Sequence, residues 1–452
     1  MLVIISDLHF CDDTLGRTLS PGAFELFREL LGDLAVAASW REATRRSNAS
    51  VYRPVSTIDL VLLGDILDLV RSSTWLNGPV RPWSAPSDPL FRERVSQVTE
   101  AVIANNAPSL ETLRKIGTNF TIPAAQGGKP SRKRQRVNVR IHYIVGNHDW
   151  FLHLPGKEFN PVRRRLKEVM GLHNNPAQPF PHNPGDIPVL SNALRAHEVV
   201  ARHGDEYDSL NFHGNRATAS VGDAIVIELV CKFYQQVTDR FGAQLSSSCI
   251  QALREIDNVR PLSSIPGWIH GLLLRTCEDS ALRDQIAETW NELAREFLNL
   301  PFVKSHDTPF TLERIDWLQG LLKLGGIIGL GRAARVAQHP VMEWLIPRES
   351  YSQFALAEPA IVDGSARFVV YGHTHHHEVI PISRTKDERE QFYINSGTWR
   401  RIHELGQLDR ADLRFLDYSV MTTVAFFRDG ERKGRRFEVW NGALDNIKKD
   451  YE

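Results

Sequence analysis

The sequence is poor in cysteine. Its 452 residues contain four cysteines, with no CxxC pair and no dense framework of the kind that staples small secreted domains. This content argues against a disulfide scaffold and fits a reducing compartment.

Long apolar runs are also missing from the sequence. No stretch reaches the roughly 18 apolar residues that a membrane span needs. The opening residues MLVIISDLHF have no basic region, and their apolar run ends at Asp7, so we predict no signal peptide. We therefore expect a cytoplasmic protein without a transmembrane segment, and peripheral contact with a membrane surface remains open.

The sequence also lacks an excess of positive or negative charge. The 54 basic and 54 acidic residues cancel, which argues against a general polyanion binder. Locally, residues 127–140 are rich in lysine and arginine behind a Gly-Gly pair. We predict a mobile surface loop there, with a phosphate or nucleic-acid contact as the alternative.

Short buried strands organise the rest of the chain. Hydrophobic residues make up 42% of the sequence, which is enough for a sizeable core. Five apolar runs predict buried strands at 2–6, 58–63, 139–145, 199–202 and 368–371. Residues 211–350 are mostly helical in pattern. We therefore predict an α/β core formed by 1–210 and 351–452, with 211–350 as an inserted helical cap.

Polar residues that commonly bind metals follow all five strands. Asp7 and His9 alternate along the chain and so share a face, as do His373 and His375. Each residue taken alone has a simpler explanation as a cap or an ordinary core histidine, but the ordered set predicts a metal site at the strand ends. The candidate ligands are Asp7, His9, Asp65, Asn147, His203, His373 and His375. Mixed oxygen and nitrogen donors favour Mn²⁺, Fe or Zn²⁺ over Ca²⁺ or Mg²⁺.

The motifs SDLHF, LLGDILD, VGNHDW, RHGDEYD and YGHTHHH occur in this order from residue 6 to residue 377. As a set they resemble the calcineurin-like metallophosphoesterase superfamily. The resemblance covers the core strands and implies a two-sheet α/β/β/α sandwich with a dinuclear metal site. It implies that Asp7, His9, Asp65 and His375 hold the first metal. It implies that Asp65, Asn147, His203 and His373 hold the second.

Within that superfamily, HGDEYD, GDILDLVR and INSGTW look most similar to the UDP-2,3-diacylglucosamine pyrophosphatase branch. This chain has His148 where that branch has arginine, and histidine is the choice of the wider superfamily. It also carries the additional 211–350 region. The resemblance therefore leaves the substrate open.

Six further side chains receive catalytic or supporting roles. His148 follows the ligand Asn147, so we assign it as general acid or transition-state stabiliser. Asp149 is expected to fix the tautomer of His148, and Arg71 to contact the substrate. Asp68 is expected to orient a ligand, and two similar candidates follow His203, namely Asp205 and Asp208.

The predicted function is the metal-dependent hydrolysis of phosphodiester or pyrophosphate bonds in a phosphorylated small molecule or in a nucleotide- or lipid-linked substrate. A nuclease of the same superfamily is the first alternative, and nucleic acid is not favoured because the net charge is zero. A non-catalytic scaffold would be expected to lose ligands, and none is missing. A phosphoprotein phosphatase has no specific feature in its favour. The apolar, glycine-rich segment 317–330 is expected either to pack inside the cap or to form an apolar wall over the metal site. The oligomeric state stays open.

Overall fold

A computed structural model describes residues 1–42, 50–260, 264–306, 350–405 and 415–444. Within them the chain is mixed α/β. The predicted apolar segment 317–330 lies outside the described residues. None of the helices in the described ranges is long and apolar enough to cross a membrane.

The described strands are β1 Leu2–Ile5, β2 Trp40–Arg41, β3 Val51–Tyr52, β4 Thr57–Leu63, β5 Thr121–Gln126, β6 Lys129–Arg136, β7 Asn138–Ile144, β8 Val199–Ala201, β9 Val259–Arg260, β10 Phe368–Tyr371, β11 His377–Arg384, β12 Glu390–Ser396, β13 Arg401–Leu405, β14 Phe415–Phe426 and β15 Phe437–Leu444. All five predicted buried strands are confirmed, with ends that agree to within one residue.

The described helices are α1 Pro21–Ala38, α2 Pro89–Asn105, α3 Ala107–Asn119, α4 Asn160–Met170, α5 Pro188–Ala196, α6 Val221–Ala224, α7 Lys232–Phe241, α8 Ser247–Leu253, α9 Ile265–Thr276, α10 Ser280–Asn299, α11 Pro301–Ser305, α12 Ser352–Leu356 and α13 Pro359–Val362. A π-helical stretch, Ile225–Cys231, joins α6 to α7.

Two sheets carry the strands that end near the candidate ligands. The larger one has the order β7-β4-β1-β14-β13-β9, with β15 also paired to β14. The smaller one has the order β11-β12-β10-β8. Strands β1, β4 and β7 are parallel, as are β8 and β10, so within each sheet their carboxyl ends lie at one edge.

Alternation along the strands distributes their side chains between two hydrophobic clusters. On β1, Leu2 and Ile4 pack in a cluster that also contains Phe368 and Val370 of β10. The intervening Val3 and Ile5 belong to a larger cluster with side chains of helix α1. Successive side chains of a strand point to opposite faces, so both faces of β1 are covered.

The region predicted as an inserted cap is helical over most of its described part. It also contributes β9, which pairs parallel with β13 at the edge of the larger sheet. Apolar residues of this region share the large cluster with those of residues 1–180. The boundaries at 211 and 350 stay a prediction.

The basic segment has a defined structure, and the prediction of a loop at 127–140 is wrong. Strands β5 and β6 form an antiparallel hairpin. Gly127 and Gly128 form its two-residue turn with φ of 58° and 73°, a conformation in which glycine meets no steric penalty. The Gly-Gly pair is typical of a hairpin turn, but the many exposed lysines and arginines gave the following strand no apolar pattern.

Candidate metal centre

Two loops at the carboxyl ends of β1 and β4 lie side by side. The backbone N–H of Asp7 donates to the carbonyl of Gly64 at 3.1 Å, and that of His9 donates to the carbonyl of Asp65 at 2.9 Å. These hydrogen bonds continue the parallel pairing of the strands beyond their ends. They hold the three side chains of Asp7, His9 and Asp65 in one place.

Five of the seven candidate ligands have left-handed backbone conformations. Their φ values are 53° for Asp7, 46° for His9, 53° for Asp65, 67° for His373 and 62° for His375. This conformation costs energy for residues other than glycine and is concentrated at functional sites. The clustering supports a site that the surrounding strands hold in place.

One group of donors consists of Asp7, His9 and His375, all buried. The Nε2 atoms of His9 and His375 lie 3.0 Å apart. Oδ1 of Asp7 lies 3.9 Å from Nε2 of His9 and 3.4 Å from Nε2 of His375. Ligand atoms of two imidazoles and one carboxylate therefore converge on one position.

A second group consists of Asp65, His203 and His373, with Asn147 beside it. Nε2 of His203 lies 3.3 Å from Oδ2 of Asp65 and 3.2 Å from Oδ1 of Asn147. The rings of His203 and His373 lie 5.4 Å apart between centroids. The structure thus brings all seven predicted ligands into two adjoining groups.

Asp65 connects the two groups. Its Oδ2 atom lies 3.3 Å from Nε2 of His203 and 3.7 Å from Nε2 of His9. Its Oδ1 atom accepts a hydrogen bond from the backbone N–H of His148 at 2.8 Å. Among the described ligands, Asp65 therefore lies close enough to both groups to be shared by them.

Glycine permits this close packing at Gly146, just before Asn147. A Cβ atom at this position would lie 2.3 Å from Oδ1 of Asp65 and 2.7 Å from Nε2 of His203. These separations are far inside van der Waals contact, so a larger residue would displace the side chains of Asp65 and His203. The recurrence of glycine beside the predicted ligands thus has a steric cause.

Burial changes the protonation of several donors. It raises the pKa of Asp7 to about 6 and lowers the pKa of His9 to about 3. Burial also opposes the anionic form of Asp65, but His203 and His148 outweigh it and hold the pKa of Asp65 well below its usual range. His9 is thus neutral, which is the form in which imidazole binds metals.

The donor set fits divalent cations. Carboxylates, an amide oxygen and imidazole nitrogens converge inside the protein, and these are the ligands of Mn²⁺, Fe and Zn²⁺. Hydrogen bonds on the outer ring atoms support this use. Nδ1 of His9 lies 3.0 Å from Oδ2 of Asp68, and Nδ1 of His203 lies 3.0 Å from the carbonyl oxygen of Leu63. In both rings Nε2 is left facing the site.

His148 lies against this cluster, with its ring 4.7 Å from that of His9. Its Nδ1 atom lies 2.7 Å from Oδ1 of Asp68. Burial opposes the charged form, but Asp68 and Asp65 outweigh it and raise the pKa of His148 to about 9. Its side chain keeps 14% exposure, whereas that of Asp68 has none.

The contacts of Asp149 correct its predicted role. Its carboxylate accepts hydrogen bonds from the backbone N–H groups of Ile66 and Gly146 and from the hydroxyl of Tyr143. It therefore joins the loops after β4 and β7. Asp68, which sequence reasoning had considered only as a ligand-orienting residue, is the partner of His148.

Arg71 was predicted to contact substrate, but its side chain is fully buried. Its Nε atom lies 2.9 Å from Oδ2 of Asp68, and its Nη1 atom lies 3.3 Å from Oδ2 of Asp257. The guanidinium is thus enclosed by two carboxylates. It stabilises Asp68 as an anion, which in turn orients the two imidazoles.

The two aspartates after His203 have different surroundings. Oδ2 of Asp208 lies 3.2 Å from Nε2 of His373, so it can orient that ring. Asp205 instead forms a buried ion pair with Arg216. The sequence pattern does not distinguish the two aspartates, since both follow the same ligand.

Three residues near the site were missed by sequence reasoning. They are Asp257, Arg260 and Arg400. Two of them lie in the region predicted as a cap, and none follows a motif that contains a predicted ligand. The only signal was the unusual sequence INSGTWRR, in which Arg400 follows the motif directly.

Comparison with known proteins adds no assignment, because no protein-family model and no curated protein matches the chain.

Proposed function

We propose that this chain is a calcineurin-like metallophosphoesterase, a dinuclear metal-dependent hydrolase of phosphodiester or pyrophosphate bonds. The observation that carries the proposal is the position of Asp65 between two groups of buried donors. A carboxylate shared by two ligand groups is what a two-metal site requires.

The finer fold assignment, an α/β/β/α sandwich, is part of the same proposal. It is supported by the cluster that contains Ile4 of one sheet and Val370 of the other. It is further supported by helix α1 against the opposite face of β1. A sandwich of this kind would bring the strand ends of both sheets to one edge, where the candidate ligands lie.

In this proposal Asp7, His9, Asp65 and His375 hold one cation, and Asp65, Asn147, His203 and His373 hold the other. Two divalent cations, Mn²⁺ in the first place and Fe or Zn²⁺ as alternatives, would neutralise the phosphoryl charge and activate a water molecule.

The remaining chemistry belongs to side chains of the protein. His148 holds a proton near neutral pH and is partly exposed beside the cluster, so it donates that proton to the leaving oxygen. Asp68 binds Nδ1 of His148 and thereby leaves Nε2 to face the substrate. The buried Arg71 keeps Asp68 ionised for this purpose.

A nuclease is the second candidate, and the β5–β6 hairpin is the observation that favours it. Arg132, Lys133 and Arg134 are exposed on this hairpin. A basic ribbon of this kind can bind a phosphate backbone. A small or lipid-linked substrate is favoured over a nucleic acid, because the chain as a whole has no net positive charge.

A hydrolysis screen of the Mn²⁺-loaded protein tests the proposal. It should compare a phosphomonoester, a phosphodiester, a nucleotide pyrophosphate, and single-stranded DNA and RNA. We expect hydrolysis of the diester or the pyrophosphate that disappears with a chelator. Absence of both Mn²⁺ binding and hydrolysis across the whole screen would reject the proposed function.

A further inference from the structure

Each candidate histidine has one ring nitrogen that contacts a residue outside the ligand set, here called its outer nitrogen. The four histidines differ in the group that this nitrogen contacts. Three of the four face a hydrogen-bond acceptor, namely His9 with Asp68, His203 with the carbonyl of Leu63, and His373 with Asp208. An acceptor in this position is the usual support of a metal-binding imidazole, since it fixes the N–H on the outer nitrogen.

His375 is the exception, because its outer nitrogen faces a donor. Its Nδ1 atom lies 3.0 Å from Nη2 of Arg260, and a guanidinium offers only N–H groups. When Nε2 of a neutral imidazole gives its lone pair to a cation, the ring proton is on Nδ1. Two donors would then face each other, and the contact between Arg260 and His375 would cease to be a hydrogen bond.

Arg260 also lacks a carboxylate partner among the described contacts. Its Nη1 atom donates to the backbone carbonyls of Asp257 and Val259 at 2.7 and 3.0 Å. The side chain of Asp257 is already shared, with Nη1 of Arg71 at 3.3 Å and Nη2 of Arg400 at 3.0 Å.

Three guanidinium groups therefore surround two carboxylates, those of Asp68 and Asp257. Within the described ranges, buried N–H groups of Arg71 and Arg400 have no hydrogen-bond acceptor. The guanidinium of Arg260 keeps its charge at neutral pH, because arginine is not deprotonated in proteins. Among these five groups positive charge is in excess, which favours the binding of an anion beside Arg260.

We propose that Arg260 binds a second phosphoryl group of the substrate, next to the one that reacts. This inference rests on the proposed function and narrows its substrate class to phosphoanhydrides. Nδ1 and Nε2 lie on different sides of the imidazole, so the guanidinium would lie one ring away from a cation held by Nε2. That position matches a phosphate adjacent to the reacting one. Arginine is suited to it, because its planar group can bind two phosphate oxygens at once.

Equilibrium binding to the full-length, Mn²⁺-loaded protein tests the inference. The probes are the methylene-bridged analogue of adenosine diphosphate, which cannot be hydrolysed between its phosphates, and adenosine monophosphate. Arg260→Gln should weaken binding of the bridged diphosphate by about 10–100-fold, as expected for a lost hydrogen bond to a charged group. Binding of the monophosphate should change much less. Arg260→Lys should restore part of the loss, since it keeps the charge but not the planar fork.

Arg240→Gln is the matched control, because Arg240 lies in the same region and pairs with Glu292 on the surface. It should leave both affinities unchanged. Mn²⁺ affinity in the absence of nucleotide should be equal or higher in Arg260→Gln, since the competing contact with His375 is removed.

The outcomes separate the two proposals. If the wild-type protein binds no Mn²⁺ and hydrolyses nothing in the screen, the proposed function fails. If it binds Mn²⁺ and the bridged diphosphate but Arg260→Gln binds both equally well, only the role of Arg260 is overturned. An equal loss for mono- and diphosphate would also overturn it, because contact with a second phosphoryl group predicts a selective loss. If Arg260→Gln fails to fold, Arg260→Lys decides the question by the same ratio of affinities.

Discussion

The Nδ1 atom of His148 lies 2.7 Å from Oδ1 of Asp68. The other oxygen of the same carboxylate lies 3.0 Å from Nδ1 of His9. One buried aspartate thus orients a candidate metal ligand and the candidate general acid together. Changes at Asp68 should therefore affect both metal binding and proton donation.

We predict that Asp68→Asn weakens Mn²⁺ binding by about 10–100-fold, as is typical when the partner of a metal-binding histidine is lost. The rate at saturating metal should also fall, because His148 loses the anion that holds its proton. Metal titration and steady-state kinetics measure the two effects separately. Asp33→Asn on the exposed face of α1 is the matched control and should change neither. Normal metal affinity in Asp68→Asn would contradict this role.

Asp65→Asn should nearly abolish activity and reduce the bound metal, because Asp65 lies between the two ligand groups. Metal analysis of the purified variant gives the answer directly. Asp186→Asn makes the same chemical change at an exposed position and should retain full metal content. Two equivalents of metal with wild-type turnover in Asp65→Asn would remove the assignment of Asp65 as the shared ligand.

His148→Ala should keep both metals and lose most of the rate, by about 10²–10⁴-fold for a general acid. The loss should be smaller for substrates with good leaving groups, since these need less protonation. A series of aryl phosphodiesters with graded leaving-group pKa measures this trend. An equal loss across the series would indicate that His148 stabilises charge without donating a proton.

The basic hairpin decides between a small substrate and a nucleic acid. Replacement of Lys133, Arg134 and Arg136 by serine should leave hydrolysis of a small diester unchanged, since these side chains are exposed and the hairpin belongs to neither sheet whose strands precede the ligands. If the protein is a nuclease, the same change should weaken binding to single-stranded DNA and reduce its salt dependence. Undetectable DNA binding by the wild-type protein would remove the nuclease alternative.

His197 should make the stability of the fold depend on pH. Burial is the main reason why the pKa of His197 is lowered to about 4, and no described residue forms a hydrogen bond with its Nε2 atom. The unfolded chain, with a pKa near the ordinary value of about 6.5, binds more protons between these two values. Stability should therefore fall as the pH drops through this range, by about 2 kcal/mol between about pH 7 and pH 5.

Urea unfolding of the wild-type protein and of His197→Asn at both pH values measures the contribution of His197. Asparagine can retain a hydrogen bond to the carbonyl of Ala193, which Nδ1 of His197 approaches to 2.7 Å. The variant should lose the additional pH dependence. An identical pH dependence in the two proteins would show that His197 does not titrate with unfolding.

The sequence by itself predicted the buried strands and the identities of the residues that follow them. This worked because the signals are local: an apolar run predicts a buried strand, and alternation places Asp7 with His9 and His373 with His375 on common faces. The order of the ligand residues then suggested a common site, and the structure brings their side chains close together.

Only the tertiary structure decided which side chains support those residues. His148 is adjacent to Asp149 in sequence, yet its ring contacts Asp68, which is 80 residues away. Arg71 was expected at the substrate and is buried between Asp68 and Asp257, while Arg260 reaches His375 from 115 residues away. The physical reason is that such hydrogen bonds depend on which loops the sheet pairing brings together. A local pattern specifies the direction of a side chain along its own strand, but it carries no information about the partner that another loop provides.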